Sequence, residues 1–386
     1  MLPHTYLEQH REDIIHTYQK LHKIAEPSWQ EKYTAQYLSQ RLSEAGLQVR
    51  SFPGHHGFVA EIPGLSESVI ALRADMDAII QEVQGEMIAN HSCGHDAHST
   101  MVLYTALALA AYQPRFPYTL RFLFQPAEEV AGGALQMMKD GVLENVKMLF
   151  GIHLRPWMEV PYGKAAPVII HRSSATIRGT ITGRSSHAAR PQEAIHPILA
   201  MTNLLHSIQK IKLEGGAFSA TITQLESGNR KACNVIPESA TFTLDLRADT
   251  DQMMKQLQQL IIQCIQATTL ETGTFIKWRV TDYVPATIPN DYAIEIAKQS
   301  IIKVLGKRNL VPVCHSPGGE DFHFYTQQHP ELIATMIGLG CDLQPGLHHP
   351  DMTFNQEALL QGAQILTALL LSSIDLMQPQ PQKTIQ

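Results

Sequence analysis

The spacing of the hydrophobic positions changes along the chain, and the changes predict an α/β fold. Residues 4–24 and 32–45 carry apolar side chains at helical intervals, and Gly46 is a natural stop for the second helix. Short, nearly continuous apolar runs, typical of strands buried on both faces of a sheet, occur at residues 58–62, 68–74, 118–124 and 148–152. Residues 100–112 are apolar and alanine-rich and predict a buried helix.

A second pattern begins near residue 175. Strands are predicted at residues 175–182, 218–225, 240–246 and 274–281, with helices at 197–211 and 250–268. This β-α-β-β-α-β order is the split βαβ, or ferredoxin-like, arrangement. A helix, a strand and a final helix then return at residues 292–305, 332–339 and 356–377. We therefore expect an α/β domain of residues 1–173 and 283–386, with an inserted domain at residues 174–282, and a disordered tail at 378–386.

Composition narrows the class of protein. The 386 residues are 44% hydrophobic and 17% charged, which is typical of packed cores rather than of disorder. The net charge of −6 without a basic cluster argues against nucleic acid as a partner. No apolar run is long enough to span a bilayer, and the N-terminus lacks the features of a secretory signal. Five scattered cysteines favour a reducing, cytoplasmic location over a disulfide framework.

Ionisable side chains follow three of the predicted strands. Asp75 and Asp77 come after residues 68–74, Glu128 and Glu129 after 118–124, and His153 directly after Ile152. In open α/β sheets the functional site lies beyond the carboxyl ends of the strands, so these side chains are expected at one edge. Adjacent residues on an extended segment point to opposite faces, so one glutamate can bind metal while the other faces a substrate.

The segment 90–99 adds further metal-ligand chemistry. It contains Cys93, His95, Asp96 and His98, with a flexible Gly94 between the first two, and it leads into the predicted buried helix. A polar turn with core histidines is the alternative interpretation. Asp96 is placed as a cap of the helix that follows.

Each remaining candidate also has a plain structural interpretation. Asp75 and Asp77 can be a polar strand end, and Glu128 and Glu129 a solvated acidic pair. His348 lies in a loop before His349-Pro350. In the inserted domain, His187 follows a strand and reads by itself as a surface residue, although a histidine there could close over a substrate and stabilise negative charge.

Taken together, the motifs resemble one known family. They are Ala71–Ala78 (ALRADMDA), Ser92–His98 (SCGHDAH), Gln125–Glu129 (QPAEE), Gly151-Ile152-His153, Ser186–Ala189 (SHAA), Asn234–Pro237 (NVIP), Gly319–Phe322 (GEDF) and Leu347–Pro350 (LHHP). In this order they resemble the M20 metallopeptidases, and more closely the amidohydrolase branch with aminoacylases, hippurate hydrolases, N-acetyl-diaminopimelate deacetylases and auxin-conjugate hydrolases. The resemblance implies a zinc-peptidase-like α/β catalytic domain and a ferredoxin-like lid and dimerisation domain.

The resemblance also implies a role for individual residues. Two divalent ions, Zn²⁺ or Mn²⁺ with Co²⁺ or Ni²⁺ as further candidates, would be bound by Cys93, His95, Glu129, His153 and His348. Glu128 would be the general base, Asp77 the carboxylate that orients a ligand, and Asp75 its neighbour. His187 of the lid would reach the substrate, often in the site of the partner subunit, and Asn234 and Arg247 would contact the substrate.

The implied activity is hydrolysis of the amide of an N-acyl amino acid by a cytoplasmic homodimer. The alternatives are a dipeptidase or carboxypeptidase of the same superfamily, acting on short peptides, and a catalytically silent binding protein. The sequence departs from the family pattern at residues 79–82, which lack a proline, in a short segment before Asn90, and at residues 25–28 and 190–196. These departures bear on substrate preference, because the expected ligands are all present.

Overall fold

The computed structural model describes residues 1–112 and 115–377, and the chain forms two compact units. The first unit comprises Met1–Ile170, Ile288–His315 and Phe324–Gln386, and the second comprises His171–Thr287 and Ser316–His323. The functional domain boundaries expected after residues 173 and 282 remain a prediction. The tail expected to be disordered, residues 378–386, lies outside the described residues.

The helices of the described chain occur in both units. They are α1 (Pro3–Gln9), α2 (Arg11–Lys23), α3 (Lys32–Glu44), α4 (His95–Tyr112), α5 (Gly133–Lys139), α6 (Pro197–Gln209), α7 (Asp251–Thr272), α8 (Asp291–Leu305), α9 (His323–Gln328) and α10 (Ala358–Met377).

The strands alternate with these helices. They are β1 (Gln48–Ser51), β2 (Phe58–Ile62), β3 (Ser66–Asp75), β4 (Ile79–Val83), β5 (Glu86–Asn90), β6 (Tyr118–Gln125), β7 (Val146–Pro156), β8 (Ala165–Ala166), β9 (Ile169–His171), β10 (Ser173–Thr182), β11 (Ser186–His187), β12 (Phe218–Ser227), β13 (Val235–Ile236), β14 (Ser239–Ala248), β15 (Phe275–Val284), β16 (Cys314–Ser316) and β17 (Ile333–Leu343).

The first unit is built on a seven-stranded sheet in the order β1-β2-β6-β3-β7-β17-β8. Its centre is parallel, because β3 pairs with β6 and β7, and β7 pairs with β17, all in the same direction. The central strands are buried on both faces, as their nearly continuous apolar sequences predict. The carboxyl ends of β3, β6 and β7 therefore meet at one edge of the sheet.

Helix α4 is the central helix of the first unit. Every residue from His95 to Leu109 is buried, and the helix packs against β3, α2 and α10. In the described residues, α10 is the one helix long and apolar enough to cross a membrane by length and composition, yet 67% of that apolar stretch is buried inside the protein. It packs on α4 and α8, as a core helix does.

The second unit has the predicted β-α-β-β-α-β order. Strands β10, β12, β14 and β15 form an antiparallel sheet in the order β12-β14-β10-β15, and α6 and α7 pack against it. Helix α7 begins where the Thr250 side chain accepts a hydrogen bond from the Met253 N–H, and it ends at Gly273 with φ +67°. The predicted α/β class with a ferredoxin-like insertion is confirmed.

Two local predictions were wrong, and one pair of strands was not predicted. The single helix expected at residues 4–24 is divided at His10 into α1 and α2. The helix expected from residue 100 begins at His95, so Asp96 lies in its first turn rather than before it. Finally, β4 and β5 form a hairpin that the sequence analysis did not identify. The sequences of its strands, IIQEV and EMIAN, do not alternate regularly between apolar and polar residues, so the period-two signal of a half-buried strand is missing.

Candidate metal centre

The parallel register brings the three strand-end motifs together. Asp75 lies opposite Gln125 across the β3–β6 pair, which puts Glu128 and Glu129 just beyond the end of the sheet. Arg73 lies opposite Gly151 across the β3–β7 pair, so His153, two residues on, is level with Asp75. His153 is inside β7 rather than at its end, because that strand continues to Pro156.

The turn at residues 93–95, where α4 begins, brings Cys93 and His95 to the same edge. Gly94, between them, has φ +90°, a conformation that favours glycine. A Cβ at Gly94 would also lie 3.0 Å from Leu154 Cδ1. The backbone therefore turns sharply here, and the turn lets residues on both sides of Gly94 face the same site.

The five expected ligands form one connected cluster of donor atoms. Donor atoms of Cys93, His95 and His153 lie within 4.8 Å of one another, and so do those of Cys93, Glu129 and His348. A third such group joins His95, Glu128 and Glu129. All the residues of these three groups are in the first unit, and they come from four separate parts of the sequence.

Distances within the cluster match the separations between neighbouring ligands of one cation. His95 Nε2 lies 3.7 Å from Glu129 Oε1, Cys93 Sγ lies 3.6 Å from His153 Nε2, and His348 Nε2 lies 3.6 Å from Glu129 Oε2. Two ligands of one tetrahedral Zn²⁺ lie roughly 3.3–3.8 Å apart. His95 Nε2 and Glu129 Oε1 are buried and have no hydrogen-bond partner in the described residues. Because buried polar atoms are rarely left unsatisfied, these residues fit a bound metal ion.

Asp77 orients His95. The His95 Nδ1 lies 2.9 Å from the Asp77 carbonyl oxygen and 3.2 Å from its Oδ1, so Nδ1–H donates to Asp77 and Nε2 faces the cluster. The same carboxylate accepts hydrogen bonds from the backbone N–H groups of Glu128 and Glu129, each at 3.1 Å. One buried side chain therefore positions a candidate ligand and the segment that carries both glutamates.

Burial controls the protonation of the candidate ligands. It raises the pKa of Glu129 to about 7 and holds the pKa of the Cys93 thiol well above its usual range. It also lowers the pKa of His153 well below the usual value. Each shift favours the neutral form, because an uncompensated charge is costly in a buried site. A cation would compensate the negative charge of Glu129 and Cys93 and favour their ionised forms.

His95 and Asp75 are affected differently. Burial disfavours the His95 imidazolium, but the negative charge of Asp75 and the hydrogen bond to Asp77 outweigh burial and raise the pKa of His95. Burial similarly opposes ionisation of Asp75, yet the positive charges of His95 and Arg73 hold the pKa of that carboxyl well below its usual range. Asp75 is therefore an ionised carboxylate behind the cluster.

His98 supports the site rather than completing it. Its Nδ1 donates to Asp75 Oδ1 at 2.7 Å, and its Nε2 accepts the Leu154 N–H at 3.0 Å. Because both nitrogens are engaged, His98 is a poor candidate ligand although its atoms lie close to Asp75 and His95. It links the carboxylate after β3 to the strand that carries His153.

The loop after β17 contributes His348. Its backbone has φ +63°, and its N–H donates to the Ser92 carbonyl at 2.7 Å, which fixes the loop against the residue before Cys93. The side chain is 56% exposed, unlike those of Cys93, His95 and His153, which are buried. His348 therefore forms the open side of the cluster.

The other expected residues belong to the second unit. His187 in β11 is exposed and lies opposite Val235 in β13, next to Asn234, whose carbonyl accepts the Ala188 N–H. Arg247 in β14 forms two hydrogen bonds to Asp245, each 2.9 Å long. His187 and Asn234 are thus brought together within this unit, and Arg247 lies on its sheet.

Several supporting residues could not be identified from the sequence. Ser28 donates to Asp77 Oδ2 at 2.6 Å, and Glu31 accepts the backbone N–H groups of Trp29 and Ala127. His22 lies 2.7 Å from Asp96, so Asp96 holds α2 against the start of α4. Apart from the contact between Trp29 and Glu31, these contacts join residues far apart in the sequence, and no local motif marks them. The one signal was the presence of acids in the segment before α3.

Comparison with known proteins adds independent observations. Residues 71–372 match the model of peptidase family M20/M25/M40. An IAA-amino acid hydrolase of Arabidopsis thaliana is 30% identical over 91% of this chain and 84% of its own length. An N-acetylcysteine deacetylase of Bacillus subtilis is 30% identical over 92% of this chain and 95% of its own.

A solved structure extends the likeness to three dimensions. A Bacillus subtilis protein described as a dinuclear metal binding peptidase from the M20 family superposes with a TM-score of 0.80 at 26% identity. The superposition covers 95% of this chain and 99% of the other.

Proposed function

The chain belongs to peptidase family M20/M25/M40, and from this membership we propose that it hydrolyses the amide bond of small N-acyl amino acids. As a member of this family it is a metal-dependent hydrolase. The observation that carries the proposal is the cluster of Cys93, His95 and Glu129 with Glu128 beside it. The names of the two relatives describe hydrolytic enzymes that act on modified amino acids, which supports a small substrate.

We propose that Cys93, His95, Glu129, His153 and His348 bind two divalent cations. The thiolate of Cys93 favours borderline ions, so Zn²⁺ is the first candidate, with Mn²⁺, Co²⁺ and Ni²⁺ as alternatives. When bound, such cations lower the pKa of water and polarise the carbonyl of a substrate. The two oxygens of Glu129 support a shared ligand role, because Oε1 lies 3.7 Å from His95 Nε2 and Oε2 lies 3.6 Å from His348 Nε2.

Glu128 is proposed as the general base. Its Oε2 lies 3.8 Å from His95 Nε2, and Asp77 fixes its backbone N–H, so the carboxylate is held at the cluster without being required as a ligand. From there it takes a proton from the attacking water on Oε2 and delivers that proton to the nitrogen of the leaving amine. Asp77 and Asp75 act as positioning residues. Asp77 contacts His95 of the cluster, and Asp75 contacts the supporting His98.

The second unit is proposed to bind the substrate and a second copy of the chain. His187 would stabilise the negative charge that develops on the carbonyl oxygen, and Asn234 and Arg247 would hold the substrate's polar groups. Strand β12 is an edge of the four-stranded sheet and carries an exposed Leu225, which supports a homodimer formed through this unit.

A cytoplasmic location is supported by five cysteines that are all free thiols.

A substrate panel tests the proposal. The purified protein, loaded with Zn²⁺ or Mn²⁺, is assayed with N-acetyl amino acids, N-benzoyl amino acids and dipeptides, before and after removal of metal by a chelator. We expect turnover of at least one N-acyl amino acid that is lost on chelation and restored by the metal. Turnover of dipeptides alone would favour the peptidase alternative, and no turnover of any substrate would contradict the enzyme assignment.

A further inference from the structure

A cavity of about 670 Å³ opens between α2 and α3 in the first unit, and Tyr104 of α4 contributes to its lining. This volume is in the range of small-molecule sites. Tyr104 follows His95 by nine residues on α4, so roughly 14 Å of helix separates the cavity from the candidate metal centre. The cavity is therefore a separate feature, and the proposed hydrolysis does not use it.

The lining of the cavity carries more positive than negative charge. Lys20, Lys23 and Arg41 line it, and Asp13 is the one acid among the lining residues. Within residues 1–112 and 115–377, none of the three cations forms an ion pair. The whole chain has a net charge of −6, so this local excess of positive charge runs against the overall balance. An electropositive cavity of this kind attracts anions.

Arg41 is held in place without being neutralised. One of its terminal nitrogens donates to the Tyr37 hydroxyl at 2.8 Å and lies 3.4 Å from Thr17 Oγ1, and the other lies 3.4 Å from the Tyr104 hydroxyl. Thr17 and Tyr104 are buried, and their hydroxyls are 3.0 Å apart. The partly buried guanidinium thus contacts three neutral hydroxyls and no carboxylate. A planar guanidinium in this setting is suited to an oxyanion.

Lys20 is positioned on the same cavity. Its Nζ lies 4.1 Å from the centroid of the Tyr37 ring, a cation–π contact that holds the ammonium beside the ring whose hydroxyl contacts Arg41. Lys23 follows one helical turn later on α2 and lines the cavity too. The two ammonium groups and the guanidinium supply enough charge for a ligand with two negative charges.

We propose that this cavity binds a small organic dianion, with its oxyanion on Arg41 and its charge balanced further by Lys20 and Lys23. Two sources share this chemistry, a phosphate monoester and a dicarboxylate. The cavity is larger than one oxyanion, and the ring of Tyr37 and the side chain of Ile24 provide surface for the remainder of the ligand.

Calorimetric titration of the metal-loaded protein tests the proposal. The probes are glycerol 3-phosphate, succinate and inorganic phosphate, with glycerol as the uncharged control. The test variant is Lys20→Gln/Lys23→Gln, whose exposed side chains can be changed without disturbing the core. The matched control is Lys303→Gln/Lys307→Gln, which removes the same charge from exposed positions of the first unit. Arg41→Gln tests the oxyanion contact, and thermal unfolding checks that it remains folded.

We expect saturable binding of glycerol 3-phosphate or succinate that weakens about tenfold in the Lys20/Lys23 variant, in Arg41→Gln and at high salt. The Lys303/Lys307 control should bind as the wild type does, and glycerol should not bind. Preference for glycerol 3-phosphate or for succinate identifies the source of the dianion. Absence of binding by every charged probe, or binding that the Lys20/Lys23 and control variants weaken equally, would overturn the proposal.

Discussion

Asp77 holds His95 by its Nδ1, with the ring nitrogen 2.9 Å from the Asp77 carbonyl oxygen and 3.2 Å from its carboxylate. The carboxylate also accepts the N–H groups of Glu128 and Glu129. Asp77 therefore fixes which nitrogen of His95 faces the cluster. It also fixes the position of the backbone that carries Glu128 and Glu129. The geometry of the candidate centre therefore depends on a residue that does not have to touch the metal.

Replacing Asp77 with asparagine tests this dependence. The amide cannot accept hydrogen bonds on both of its terminal atoms, so His95 or the Glu128–Glu129 segment loses its anchor. We expect metal affinity to fall about 10- to 100-fold, as is typical when the partner of a metal-binding histidine is lost. Competition with a chelating dye measures the affinity. Asp375→Asn on α10 is the control, and equal affinities in the two variants would refute the positioning role.

His98 and His153 are neighbours with different expected roles. His98→Gln should keep the full metal content, because both of its nitrogens are already engaged, and should lose about 1–3 kcal/mol of stability as Asp75 and the Leu154 N–H lose a partner. His153→Gln should bind less metal. Metal analysis after gel filtration distinguishes them, and loss of metal from His98→Gln would show that the ligand set is wrong.

The turn at Gly94 offers a matched pair of glycine substitutions. Gly94→Ala combines an unfavourable φ of +90° with a contact 3.0 Å from Leu154, whereas Gly46→Ala has a φ of +88° and open space around the new methyl group. We expect both to lose about 1–2 kcal/mol from the backbone conformation. Gly94→Ala should lose more stability than Gly46→Ala, and it should also weaken metal binding. Urea unfolding measures the stability and metal titration measures the affinity, and equal values for the two variants would contradict this expectation.

Glu31 leads to a prediction of how the stability of the protein depends on pH. Burial raises its pKa to about 7, so between about pH 4.5 and pH 7 the folded protein binds a proton that the unfolded chain releases. Its contribution to stability is therefore fully present below this window and is lost as the pH rises through about 7. Glu31→Gln removes this dependence, so its stability relative to the wild type should increase from pH 5 to pH 8.

Urea unfolding at four pH values across that range measures the difference for Glu31→Gln. Glu86→Gln, on the exposed β5 strand, is the matched charge control. A relative stability of Glu31→Gln that stays constant or decreases with pH would mean that Glu31 is ionised throughout the range.

The main elements, and the sheet edge where the candidate site lies, could be predicted from local features of the sequence. Continuous apolar runs predicted the parallel strands, and the ionisable residues after them predicted the edge where Asp75, Glu128 and His153 meet. The supporting contacts could not be predicted in this way. Glu31 reaches Ala127, and His22 reaches Asp96, only because the chain folds back on itself. The β4–β5 hairpin was missed because its sequences, IIQEV and EMIAN, do not alternate regularly between apolar and polar residues.

Glu128 provides the most direct test of the account. Glu128→Gln keeps the shape of the side chain but removes its capacity to take a proton. Metal content and the steady-state rate for the best N-acyl amino acid of the panel are measured on the same preparations of wild type and variant. We predict unchanged metal content with kcat reduced about 10²- to 10⁴-fold. Unimpaired turnover, or a loss of activity explained by lost metal, would contradict the assignment of Glu128 as the general base of this hydrolase.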